Sequence, residues 1–188
     1  SAKNEPSALE LLNTQRKLLK PIVRDHGGDW LKEIGDGLLL TFKTNREAVF
    51  CSIAIQEAAK SFKDLELRIG IHQGEVVFQG EDVVGDDVNI TSRIEPYSPV
   101  GGIAISNRVN VSLERDPEFS TKFIESPELK GVSQEVKIYC ITSHGLSVSE
   151  NFKNKPKSSF EWNIFSITGA VLSIIGIIFW MNISFLGI

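Results

Sequence analysis

The sequence has little cysteine, no excess of basic residues and no internal repeat, and these absences exclude several classes of protein. Its only cysteines, Cys51 and Cys140, lie far apart in apolar runs. This predicts buried thiols in a reducing compartment rather than a disulfide framework or a zinc site. Lys and Arg total 20 against 24 Asp and Glu. That balance argues against a protein that coats nucleic acid.

Disorder is also excluded by composition. Hydrophobic residues make up 41% of the 188 residues and charged residues 23%. These values are typical of a folded chain, and the length suffices for one domain with a sizeable core but not for two ordinary ones.

Charge is missing altogether from Trp162 to Ile188. We therefore predict a transmembrane helix over 162–182, with Trp162 and Trp180 near the two headgroup layers. Lysines precede it in a polar linker, 143–161, which by the positive-inside rule predicts a cytoplasmic body and a single-pass protein of the plasma or inner membrane. Residues 183–188 would begin a further C-terminal region. The alternative is a buried C-terminal helix of the core.

Helix and strand signals alternate through residues 1–142, which we predict to be one domain. Capping boxes at Ser7/Glu10 and Thr44/Glu47 predict two helix starts. Apolar runs on both sides of Gly35-Asp36-Gly37 predict a β-hairpin, and a second strand pair is predicted around Gln73-Gly74.

The rest of this domain continues the pattern. We predict helices over 86–95 and 107–113, and strands at GIAIS, FIES and VKIYCI. With a leading strand, the order would give a ferredoxin-like βαββαβ domain of the α+β class, an antiparallel sheet with helices on one face.

Lys32 and Asp36 are the first candidates for chemistry. A carboxylate in a glycine-flanked turn suits a hard cation such as Mg²⁺, although such an Asp is also common in plain turns. Lys32 lies in a mostly apolar strand, where it either faces solvent or has a function.

The stretch from Asp82 to Arg93 holds the second set. Asn89 and Arg93 are four residues apart, so on a helix they share one side and would offer hydrogen-bond donors to phosphate oxygens. The alternative is a solvated helix face with an Arg–Glu pair. Lys137 on the last strand is by itself a weak signal. The three histidines, His26, His72 and His144, show no ligand spacing, and we interpret His72 as structural.

Four blocks together resemble the class III nucleotidyl cyclase catalytic domain, the adenylate and guanylate cyclase family. They are KEIGDGLLLTF, LRIGIHQGEVV, DVVGDDVNITSRIEP and LKGVSQEVKIY, in the family's order and at similar intervals. The resemblance covers roughly residues 8–141.

The resemblance implies roles for single residues. Lys32 and Asp82 match the positions that read the adenine ring, which favours ATP over GTP. Asn89 matches the residue that orients the ribose, Arg93 the one that steadies charge on the transferring phosphate, and Lys137 a contact to the terminal phosphates.

The resemblance also implies metals and a partner. Asp36 matches the second of two aspartates that hold two divalent cations, Mg²⁺ or Mn²⁺. Active sites of this family lie at a dimer interface, which implies a homodimer.

One family feature does not match. The first metal aspartate of the family lies on an opening strand, and no such segment precedes the first helix here. The chain also begins at Ser1 without an initiator Met. We therefore expect a truncated chain whose sheet lacks its central strand and whose activity is weak or absent.

Two functions follow from these residues. The first is a membrane-bound adenylate cyclase that converts ATP to 3′,5′-cyclic AMP and pyrophosphate. The second is a catalytically silent cyclase-homology domain that dimerises and regulates another domain. The set Lys32, Asp36, Asp82, Asn89 and Arg93 favours the enzyme, whereas the unmatched first aspartate favours the regulator.

Overall fold

The computed structural model describes residues 5–35, 37–62, 65–79, 82–129, 132, 134–148 and 173–184. The helices in these ranges are α1 (Glu5–Asp25), α2 (Asn45–Ala59), α3 (Asp86–Ile94) and α4 (Asn107–Leu113). The strands are β1 (Asp29–Ile34), β2 (Gly37–Phe42), β3 (Glu66–Gln79), β4 (Asp82–Val84), β5 (Ile103–Ser106), β6 (Thr121–Glu125), β7 (Ile138–Ile141) and β8 (Ser173–Ser184). A short 3-10 turn, Glu95–Tyr97, follows α3.

The second predicted helix start is confirmed by its hydrogen bonds. The Thr44 hydroxyl accepts from the Glu47 backbone N–H at 3.2 Å, and the Glu47 carboxylate accepts from the Thr44 N–H at 3.0 Å. The prediction at Ser7 is wrong, because α1 already begins at Glu5. Pro6 lies in its first turn, where a missing N–H costs nothing.

The hairpin of β1 and β2 is confirmed, but the strand pair predicted around Gly74 is wrong. One continuous strand, β3, runs through both apolar runs. Gly74 serves a close approach instead of a turn, because a Cβ there would lie 2.1 Å from Cγ of Asp87. A glycine inside a strand is typical of such a contact.

The sheet is mixed, and helices cover both of its faces. Its order is β1-β2-β8-β3-β5-β7-β6, with β4 paired to β3. β3 and β5 are parallel, joined by a crossover through α3. The predicted antiparallel sheet with helices on one face is therefore corrected, because a parallel pair needs a crossover helix that packs on the sheet.

Buried side chains divide between the two faces. On one face, which we call the α2 face, residues of α1, α2 and α4 pack with β2, β3 and β5 in a large apolar cluster. On the other, the α3 face, two smaller clusters surround α3. Leu38 and Leu40 point to the α2 face and Leu39 to the α3 face, as the two-residue period of a strand requires.

The apolar C-terminal segment differs most from its prediction. Residues 173–184 form β8, antiparallel to both β2 and β3, and thus fill the central place that we expected to be missing. An uninterrupted apolar run has no periodicity that separates a strand from a membrane helix. The Ile, Phe and Trp residues of this segment favour a strand, and unpaired edges of β2 and β3 favour a strand between them.

The rest of the predicted membrane helix, 162–172, lies outside the described residues. Within the part of the chain that the structure does describe, no helix is both long and apolar enough to cross a bilayer.

Candidate active site

Lys32 lies on the α3 face of the sheet. In the antiparallel ladder it is opposite Leu39, and paired residues point to the same face. Leu39 packs with Val83 of β4 and Val88 of α3. The half-buried Lys32 side chain is therefore on the face on which Val83 of β4 and helix α3 pack.

The neighbouring Glu33 is held on the opposite face. Its carboxylate accepts hydrogen bonds from Arg16 Nε at 2.8 and 2.9 Å and from Trp30 Nε1 at 3.1 Å. The hydrogen bonds from Arg16 lower the pKa of Glu33. This bidentate contact joins α1 to β1 and keeps the two faces of β1 distinct.

Helix α3 carries the next two candidates. Val88, Ile90 and Ile94 are buried against the sheet, while Asn89 and Arg93 are half-buried on the sides of the helix. The predicted amide and guanidinium are thus available at the margin of the helix rather than buried in the core.

Asp82 and Lys137 are next in the chain to residues of two different clusters that include side chains of α3. Asp82 opens β4, beside Val83, which packs in the same cluster as the first turn of α3. Lys137 is exposed, and its neighbours Val136 and Ile138 pack with Ile90 and Ile94 of α3. Both positions are thus next in the chain to side chains that pack in the clusters around α3. Asp36, the predicted metal ligand, is outside the described residues.

A polar network that the sequence did not predict begins at Asp87, in the first turn of α3. Its Oδ1 lies 2.9 Å from His72 Nε2, and its Oδ2 accepts the Glu75 backbone N–H at 2.7 Å. Arg108 Nη1 is 3.7 Å from Oδ1. Burial raises the pKa of Asp87, but the hydrogen bonds from His72 and the Glu75 N–H, together with the charge of Arg108, outweigh it, so the pKa is below its ordinary value.

Arg108 extends this network to the approach of β7. Its guanidinium donates to the Gln73 carbonyl and to Gln134 Oε1, both at 3.2 Å. The adjacent Asn107 N–H donates to the Lys137 carbonyl at 2.9 Å. The beginning of α4 thus connects α3 to the segment that carries Lys137.

The interpretation of His72 as structural agrees with this geometry. His72 is 1% exposed and bonded to a carboxylate. Among the residues that the structure describes, no group of three or more His, Cys, Asp or Glu could hold a metal ion. The sequence does contain one signal for this network, the glycine two residues after His72. In the structure, that glycine leaves room for the Asp87 carboxylate.

The described residues do not fit a complete two-metal site. β8, which pairs with β2 next to the hairpin turn, has no Asp or Glu in its sequence. Asp36 would be one protein ligand, and no described residue near it is identified as a second.

The family follows from the whole domain. Residues 1–143 match the family model of the adenylate and guanylate cyclase catalytic domain. The chain belongs to this family, as the four sequence blocks indicated.

Individual relatives agree with that assignment. The chain is 32% identical over 147 residues to a putative adenylate cyclase 3 of Rhizobium meliloti, a match that covers 73% of this chain and 25% of the relative. The chain thus spans about a quarter of that protein.

Solved structures share the fold. An adenylate/guanylate cyclase/hydrolase from Silicibacter pomeroyi superposes with a TM-score of 0.66 at 26% identity, over 75% of this chain and 88% of that one. The catalytic core of a rhodopsin-guanylyl cyclase with converted specificity, in complex with ATPαS, gives 0.67 at 27% identity, over 74% and 84%.

Proposed function

We propose that this domain is an adenylate cyclase that converts ATP to 3′,5′-cyclic AMP and pyrophosphate. The observation that carries the proposal is that Lys32 of β1 lies on the face of the sheet on which Val83 of β4 and helix α3 pack, in a cyclase-family domain. The ribose 3′-oxygen would attack the α-phosphorus, and the bond to the bridging oxygen of the pyrophosphate would break.

The purine preference rests on Lys32 and Asp82. The adenine ring presents an acceptor nitrogen beside a donor amino group, which matches an ammonium beside a carboxylate. Guanine presents the reverse order, a carbonyl oxygen beside an N–H. The chemistry of the pair therefore favours ATP, and the ATPαS complex of a related cyclase core supports binding of an adenine nucleotide by this fold.

The other proposed contacts concern the ribose and the phosphates. Asn89 would hold the ribose, Arg93 would balance charge on the α-phosphate, and Lys137 would bind the terminal phosphates. Fixed positive charge where negative charge develops lowers a reaction barrier. Divalent cations, Mg²⁺ or Mn²⁺, would stabilise the attacking oxygen and the phosphates, with Asp36 as one ligand.

We further propose that the active unit is a homodimer. The family resemblance places the metal aspartates in one subunit and the purine-reading, Asn and Arg positions in the other. A symmetric pair of chains would then form two equivalent sites.

The test is product formation by the purified chain. Incubation with ATP or GTP and Mn²⁺, followed by chromatography of the nucleotides, should give cyclic AMP in excess of cyclic GMP. Lys32→Glu combined with Asp82→Asn exchanges donor and acceptor and should shift the preference toward GTP. A preference for ATP that survives this exchange would contradict the purine-reading role.

Arg93→Ala tests the catalytic role separately. Loss of one charge-stabilising group should reduce kcat by about 10²- to 10³-fold while the fold is kept. Arg115→Ala, an exposed arginine after α4, is the matched control and should leave kcat unchanged. Equal activity of the Arg93 and Arg115 variants would remove Arg93 from the mechanism.

A second candidate, a catalytically silent regulatory domain, is favoured by the absence of a carboxylate from β8. It predicts dimers without cyclic nucleotide formation. Analytical ultracentrifugation together with the product assay separates the two functions.

Membrane attachment remains a prediction that concerns the same segment as β8. Residues 173–182 cannot be in the sheet and in a bilayer helix at the same time. Alkaline carbonate extraction of cell membranes distinguishes the two placements. A bilayer helix keeps the protein in the pellet, whereas a strand of the sheet releases it.

A further inference from the structure

The His72–Asp87–Arg108 network has no part in the proposed chemistry, yet it joins α3, which carries Asn89 and Arg93, to β3 and to α4. Asp87 is in α3, two residues before Asn89 and six before Arg93. His72 is in β3, and Arg108 is in α4 next to Asn107, which binds the backbone of Lys137.

Asp87 reaches out of the helix to the sheet. Its two carboxylate oxygens are shared between the His72 ring and the Glu75 N–H, and the carboxylate lies directly on Gly74. A helix held at one residue by two directed hydrogen bonds and a close contact cannot rotate or slide without breaking them. The rotation of α3 decides where Asn89 and Arg93 point.

His72 is suited to this role by its burial. Nε2 faces Asp87, while Nδ1 is buried without a hydrogen-bond partner among the residues that the structure describes. Ser106 Oγ, at the next register position after the Ile71–Ile105 pair, is likewise buried and unpartnered within those residues. An Nε2–H donor to Asp87 leaves Nδ1 as an acceptor, so that the directed bond of the ring is the one to α3.

A nucleophilic Ser–His–Asp triad is excluded by the same burial. Ser106 is 0% exposed, so its hydroxyl cannot reach a substrate. The network is arranged to hold elements rather than to react.

We propose that His72 and Asp87 are positioning residues, which fix the rotation of α3 and thereby aim Asn89 and Arg93 at the nucleotide, while Arg108 ties this helix to the segment of Lys137. The consequence for catalysis rests on the proposed function. The effect on the position of α3 does not rest on the proposed function, because it concerns the folded chain without nucleotide.

The experiment compares His72→Leu, His72→Gln and Asp87→Asn in the full chain. The first readout is hydrogen exchange of the α3 amides, 86–94, without nucleotide. Loss of a hydrogen bond to a charged group should speed this exchange by on the order of 10- to 100-fold in His72→Leu. Gln can place an N–H near the position of Nε2, so His72→Gln should recover most of the protection.

The second readout is kinetic. A misdirected Arg93 should lower kcat in His72→Leu by on the order of 10²-fold with little change in KM, and His72→Gln should recover turnover in parallel with α3 protection. If His72 only supports the core, His72→Leu should lower the stability of the fold and His72→Gln should not restore it.

Gln56→Leu is the matched control. Gln56 is a buried polar residue of α2 that donates to the Leu67 and Gly102 carbonyls, at 3.2 and 2.7 Å. The Gln56→Leu variant should have a lower stability, without a selective increase in the hydrogen exchange of the α3 amides. The proposal is overturned if α3 exchange in His72→Leu and Asp87→Asn stays within about threefold of wild type, or if Gln56→Leu exposes α3 equally. A wild-type chain without cyclase activity would contradict the proposed function but leave the exchange result decisive for positioning.

Discussion

The two faces of the sheet differ in how their interiors are built. The α2 face is one apolar cluster, to which α1, α2 and α4 all contribute. The α3 face has two smaller clusters and, beside them, polar groups that include the hydrogen-bonded pair of Asp87 and His72. The α2 face supplies most of the apolar burial, and the α3 face holds the His72–Asp87 pair beside the helix that carries Asn89 and Arg93.

The largest effect is expected from a cavity in the α2 face, which tests whether the two faces of the sheet act independently. Ile55 is fully buried there, and Ile55→Ala should lower the free energy of unfolding by about 2–5 kcal/mol. Urea denaturation measures the loss. The folded fraction should keep its nucleotide preference, and a change in ATP-over-GTP preference would show that the faces are not independent.

The next effect is expected at the contact between β3 and α3. Gly74→Ala would place a Cβ 2.1 Å from Asp87 Cγ, and such overpacking costs about 1–3 kcal/mol. Thermal denaturation of a double-mutant cycle with Asp87→Ala tests the cause. Once the carboxylate is removed, adding Ala at position 74 should cost much less. Additive losses would contradict the close contact as the reason for the glycine.

Acid titration gives a smaller effect confined to the α3 face. A carboxyl whose pKa is lowered by folding adds stability above its unfolded pKa, about 3.9 for Asp, and this stability is lost as pH falls through the folded pKa. The pKa of Asp87 is lowered. Urea midpoints should therefore fall more steeply below about pH 4 in wild type than in Asp87→Asn. Parallel curves would contradict the charged network.

The smallest effect is expected in the alkylation of the two thiols, one of which lies on each face of the sheet. Cys51 is in the cluster of the α2 face, and Cys140 pairs with Ala104 on the α3 face. Burial raises the pKa of each thiol to about 12, so both should resist alkylation in the folded protein. In His72→Leu, Cys140 should react faster while Cys51 stays protected, as mass spectrometry of the labelled chain would measure.

Local signals in the sequence predicted much of this fold. The Thr44 capping box, the β1–β2 hairpin and α4 over 107–113 each depend on a few adjacent residues. The family blocks also predict Lys32, Asp82, Asn89 and Arg93 as site residues, and this stays a prediction. In the structure, Lys32 lies on the face of the sheet on which α3 packs.

Features that depend on distant residues were missed. Gly74 looks like a turn residue until Asp87, 13 positions later, packs on it. The apolar segment 173–184 gives the same pattern for a membrane helix as for a fully paired central strand. The side of the sheet on which α3 packs depends on the parallel crossover from β3 to β5, which no local motif encodes.

The most direct test of the central claim, that the α3 face binds the nucleotide, is to map chemical shifts of the ¹⁵N-labelled chain on titration with a non-cyclisable ATP analogue and Mg²⁺. The account predicts that the largest changes fall on β1 around Lys32, on β4 and on α3 from Asn89 to Arg93. Changes confined to α1, α2 and α4, with α3 unaffected at saturating nucleotide, would contradict it.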